Sequence, residues 1–91
     1  MKRTTRFVDV AKRFRIAVYD ILDELDPKGY LACEINNMPN GYGITVTIRR
    51  KHRWAYSKMM FLNIELYEYY MSDNLTEMIR PEITKAVEKE L

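Results

Sequence analysis

Histidine, cysteine and tryptophan occur once each in these 91 residues, and glycine and proline three times each. With Cys33 alone the chain cannot close an internal disulfide, which excludes the cross-linked miniprotein class and points to a reducing, cytoplasmic setting. His52, the only imidazole, has no second histidine or neighbouring cysteine with which to complete a metal site or a nucleophilic triad. The expectation is therefore no enzyme, no metal and no cofactor. Gly29, Gly41 and Gly43 are all assigned to turns, so no glycine-rich phosphate loop remains. Long apolar runs are missing too. Charge interrupts every few residues, and the start, Met1 to Arg6, leads straight into a charged amphipathic segment. Neither a signal peptide nor a membrane span is expected.

What is present is a globular balance, 47% hydrophobic and 31% charged, in a length that supports one domain over residues 1–91. A chain of this size buries only about 60 to 65% of its unfolded surface, which leaves little room for a deep cleft. The net charge of +2 is small, but it comes in blocks. Residues 1–15 carry six basic side chains against Asp9, and 16–48 carry Lys28 against five acids. Residues 49–58 carry five basic side chains and no acid, and 59–91 carry three against seven.

Phe7, Val10, Ala11, Phe14, Val18, Ile21, Leu22 and Leu25 recur at three- and four-residue steps, predicting a helix over about 5–25. Thr4 or Thr5 can cap its start, and Asp26-Pro27-Lys28-Gly29 ends it. The period then falls to two. Leu31, Cys33 and Ile35, and after Met38-Pro39-Asn40-Gly41 the residues Ile44, Val46 and Ile48, alternate with polar neighbours; Asn40-Gly41 supplies the positive φ of a tight hairpin.

The segment 58–71 supports two readings. As a strand it turns Met60, Leu62, Ile64 and Leu66 inward and Phe61, Asn63, Glu65 and Tyr67 outward; helical spacing instead gathers Lys58, Glu65 and Glu68 on one side. The strand is preferred, because a two-stranded hairpin is marginal as a sheet. Asn74 with Glu77 resembles a capping box for a last helix, which Pro81 is expected to kink or restart. The expected fold class is α+β in the order α-β-β-β-α, a three-stranded antiparallel sheet with both helices on one face. The alternative is α-β-β-α-α on a two-stranded hairpin.

Function rests on surfaces. Arg49, Arg50, Lys51, His52, Arg53, Trp54, Tyr56 and Lys58 form a basic, aromatic segment: its cations suit phosphates, and its rings suit unpaired bases or an anchored turn. The basic half of the first helix, including Arg6 and Arg13, opposes the helix dipole and is a candidate to join that segment in one platform. Outward Phe61 and Tyr67, with Ile16 opposite the apolar stripe of its helix, form a candidate protein-docking set. Glu34 and Glu65 on the face of Arg49 form the only acid–base arrangement worth naming, and solubility explains them better. Element order is shared with double-stranded-RNA-binding domains, but their basic helix start is missing from the acidic last helix, so the likeness stops at analogy. Nucleic acid and a protein partner stand level as ligands. The first implies backbone binding by the loop; the second implies a small adaptor or inhibitor of a larger machine, such as an accessory protein of a mobile element. A homodimer is the third possibility, and no membrane partner is expected.

Overall fold

A computed structural model describes residues 7–91. Helix α1 spans Phe7–Leu25, strand β1 Leu31–Asn37, β2 Gly43–Arg50, β3 Tyr56–Leu62, helix α2 Asn63–Met71 and α3 Leu75–Glu90. This is the expected α+β class with one further helix. Thr4, Thr5 and the basic residues Lys2, Arg3 and Arg6 lie outside the described residues.

In α1 the residues Val10, Ala11, Phe14, Ala17, Val18, Ile21 and Leu22 are buried, as a three- and four-residue stripe requires. The helix closes with the Asp26 N–H on the Leu22 carbonyl at 2.7 Å, and Gly29 at φ +73° turns the chain. Asp26 then joins helix to sheet: its two carboxylate oxygens accept the N–H groups of Tyr30 and Leu31, each at 2.9 Å. An acid stands where the helix dipole disfavours one because the next strand needs its bonds.

The sheet order is β1-β2-β3, both pairs antiparallel, with Cys33 opposite Ile48 and Ile44 opposite Phe61. The first hairpin is wider than a two-residue turn. Met38 donates to the Gly43 carbonyl and accepts from the Gly41 N–H, and of the Asn-Gly pair only Gly41 has positive φ, at +75°. Asn40 instead accepts the Tyr42 N–H through its side chain. Gly43 is no turn residue. It begins β2, where a β-carbon would lie 2.2 Å from the Phe61 carbonyl oxygen.

The third strand exists, but it ends at Leu62 and its faces are the reverse of those expected. Phe61 is 4% exposed and packs on Phe14, ring centroids 4.9 Å apart, whereas Met60 is 63% exposed and Leu62 also faces solvent. The physical reason is the period of two: pairing Gly43 with Leu62 puts Phe61 beside inward Ile44 and forces Met60 outward. The strand gives way to a helix because the Glu65 carboxylate accepts the Leu62 N–H at 2.9 Å, capping α2. Asn63 locks the junction to the first hairpin, donating its N–H to Tyr42 and its amide Nδ2 to Gly41. Glu65 and Tyr67 are thus helical, not outward strand residues.

The last helix neither restarts at Pro81 nor uses the expected capping box. Leu75 and Ile79 before the proline, and Ile83, Ala86 and Val87 after it, are all buried, so packing on both sides outweighs the lost backbone bond. Asn74 makes no side-chain cap bond, and Glu77 pairs instead with Arg80, which also reaches Glu24 of α1. The core lies between the inner sheet face and the helices, and the outer sheet face is uncovered.

Two substitutions test this register. Phe61→Ala is expected to cost about 3 to 5 kcal/mol in urea denaturation, while Met60→Ala stays within about 0.5 kcal/mol. Gly43→Ala is expected to cost about 1 to 3 kcal/mol, since the backbone of β3 has nowhere to retreat. A larger loss at residue 60 than at residue 61 would mean the sheet faces are assigned backwards.

Candidate functional site

The second hairpin presents the basic segment. A turn closes with the Arg53 N–H on the Arg50 carbonyl at 3.1 Å, and its third residue is His52 at φ +71°, where glycine is the usual occupant. The Lys51 N–H continues the ladder to the Tyr30 carbonyl at 3.1 Å. Trp54 then leaves the turn 97% exposed, and Tyr56 follows on the outer face of β3. The indole is not folded back onto the core. Arg49 lies directly across from Tyr56, and Lys58 across from Thr47.

These outward side chains enclose a shallow concavity of about 510 Å³ lined by Thr47, Arg49, His52, Arg53, Trp54 and Tyr56. Among the described residues, ion pairs involve only Arg80 with Glu24 and Glu77, so Arg49, Lys51, Arg53 and Lys58 hold uncompensated charge. Arg50 faces the other way. Its guanidinium lies 5.9 Å from the Tyr30 ring centroid and donates to the Leu91 main-chain oxygen, which ties the C-terminus to the sheet.

Among the described residues the joint platform with α1 is not assembled. Arg15 donates to Asn37 at the far end of β1, and Arg13 lies 5.2 Å over the ring of Tyr70 in α2. The 51–55 turn sits at the opposite end of β1, beside Tyr30 and Leu31, roughly 20 Å away at the rise of a seven-residue strand. Antiparallel packing of helix against strand separates Arg13 and Arg15 from the cations of the second hairpin. Arg6 lies outside the described residues.

The expected docking set separates as well. Phe61 is core, Tyr67 is half-buried on α2 against that core, and Ile16, 52% exposed, lines a different concavity on α1 with Tyr70 and Leu75. Glu34 stays on the outer face of β1, while Glu65 caps α2, so the acid pair is not assembled. In place of Phe61 and Tyr67, the exposed apolar residues of this region are Met60, Leu62 and Ile64. Lys58 held the missed signal: a lysine facing water fixes the parity of every neighbour in its strand.

Among the described residues no three histidine, cysteine or acidic groups gather to hold a metal, and no helix is long and apolar enough to cross a membrane. Cys33 faces inward opposite Ile48, where burial first and the adjacent Glu34 second push its thiol up to about 11. No known protein family, curated protein or solved structure matches the chain.

The thiol supplies a direct check. Iodoacetamide at pH 8 is expected to alkylate native Cys33 about a hundredfold more slowly than the unfolded chain, the ratio of thiolate fractions that follows from the raised value. The rate should climb with pH toward about 11. A native rate equal to the unfolded one would place Cys33 outside the sheet interior.

Proposed function

We propose that this chain is a non-catalytic binding module for unpaired nucleic acid, held on the second hairpin and the adjoining outer sheet face. The observation that carries this reading is Trp54, almost wholly exposed beside Tyr56 and ringed by cations without ion-pair partners. A bare indole in water forgoes its burial energy, and a base stacked on it recovers that energy in a sequence-tolerant way. Arg49, Arg53 and Lys51 then meet phosphates, and Lys58 continues the positive track along β3. A duplex keeps its bases stacked and hidden, so an exposed ring favours single strands.

Trp54 is the only tryptophan, which makes its fluorescence a site-specific probe. Titration with a mixed-sequence single-stranded oligonucleotide is expected to quench it. Binding measured with a labelled strand should weaken in Trp54→Ala by about 1 to 3 kcal/mol, the worth of one stacked base. The log–log salt slope should be about −3, as for four neutralised phosphates of a single strand, and shrink in Lys51→Ala with Arg53→Ala. Arg13→Ala should leave binding unchanged. Absence of binding at about 50 mM salt, or a duplex preferred with no effect of Trp54→Ala, would end the proposal.

A further inference from the structure

The outer edge of β3 is open. Because the Asn63 N–H bonds the Tyr42 carbonyl, alternation along the pair gives Phe61, Met59 and Ser57 to β2. The N–H and C=O groups of Tyr56, Lys58 and Met60 therefore point away from the sheet. Their side chains are all exposed, and the apolar line continues through Leu62 to Ile64. Proteins ordinarily blunt such an edge with charge, proline or a covering loop, and Lys58 alone does so here.

Along the edge lies a second concavity of about 290 Å³, lined by Lys58, Met59, Met60 and Phe61 of β3, by Tyr69 of α2 and by the carboxylates of Glu65 and Glu82. Lys58 borders this concavity from the outward-facing side of the strand. A strand added here would set its outward side chains beside Lys58 and its inward ones toward Glu65 and Glu82, the two carboxylates that outnumber the lysine at this hollow.

We propose that β3 accepts an extended segment of another protein as a fourth strand, with an acidic side chain outward beside Lys58 and lysine or arginine inward toward Glu65 and Glu82. A second copy of this chain fits poorly. The two-fold pairing that satisfies all three free residues is centred on Lys58 and sets lysine directly opposite lysine. It also turns Ser57, Met59 and Phe61 of the copy inward, and none of these is a cation. This surface adjoins the nucleic-acid site and shares Lys58 with it, but the backbone of 56–60 and the carboxylates below it are its own.

The test uses the full chain and two blocked heptapeptides, Ser-Val-Lys-Glu-Lys-Val-Ser and its charge-swapped form Ser-Val-Glu-Lys-Glu-Val-Ser, titrated by NMR. The first is expected to shift the amide signals of Tyr56, Lys58 and Met60 and to bind about tenfold more tightly than the second. General attraction to the basic hairpin predicts the reverse order. Met60→Pro removes an edge N–H that β2 does not use and should weaken the first peptide about tenfold, with the melting temperature as control. Should that variant fail to fold, Glu82→Lys on exposed α3 must still lose the preference between peptides. Trp54→Ala should leave both titrations unchanged, so failure of the nucleic-acid reading stays distinguishable. The proposal is overturned by no shift at millimolar peptide, by equal binding of both peptides, or by a dimer in light scattering that Met60→Pro dissociates.

Discussion

Gly43 lies so close to the backbone of β3 that no side chain fits between it and Phe61. That contact sets which residue of β3 stands opposite which residue of β2, and in a sheet a slip of one residue exchanges the two faces entirely. Phe61 goes inward onto Phe14, and the third strand is thereby fastened to α1 across the core. Tyr56, Lys58, Met60 and Leu62 go outward by the same rule. The core and the exposed line of candidate binding residues are two consequences of one register.

The polar contacts around this frame place elements rather than bury charge. Asp26 holds the first two residues after the helix turn, Asn63 holds the first hairpin against the start of α2, and Glu65 ends β3 by capping the helix that follows. At the other end of the sheet, Ser57 donates to Glu90 at 2.7 Å and Arg50 reaches Leu91, so the C-terminal turn of α3 is clamped beside the second hairpin. A hairpin braced in this way can project Trp54 into water while the strands beneath it stay fixed. Rigid presentation lowers the ordering cost of any ligand that lands there.

The two proposed surfaces divide the outer side of β3 by chemistry. Toward the turn the groups are aromatic rings and unpaired guanidinium and ammonium groups, which suit stacked bases and phosphates. Toward α2 they are methionine, leucine and isoleucine around an open backbone edge, which offers hydrogen bonds to another strand and little to a phosphate. Lys58 lies between them and serves either neighbour. Arg13 and Arg15 of α1 are turned instead to Tyr70 and Asn37.

The apolar spacing of residues 10–22 was enough to define α1, and the alternations before and after Asn40-Gly41 were enough to define β1 and β2, because local periodicity records which side of each element is dry. The basic, aromatic character of 49–58 was equally legible. Parity in β3 was harder to read, since Met59, Met60, Phe61 and Leu62 are all apolar and offer no alternation; Lys58 was the one local hint, and the backbone contact at Gly43, remote in sequence, agrees with it. At Pro81 the restart alternative failed for a related reason: a local rule about one lost bond was overridden by burial on both sides of it. The relation between the two basic blocks was decided by packing alone, because charge in a sequence carries no record of which end of a sheet a helix will lie against. The hairpin residues could be named from the chain, but which of them face one way together belongs to the tertiary structure.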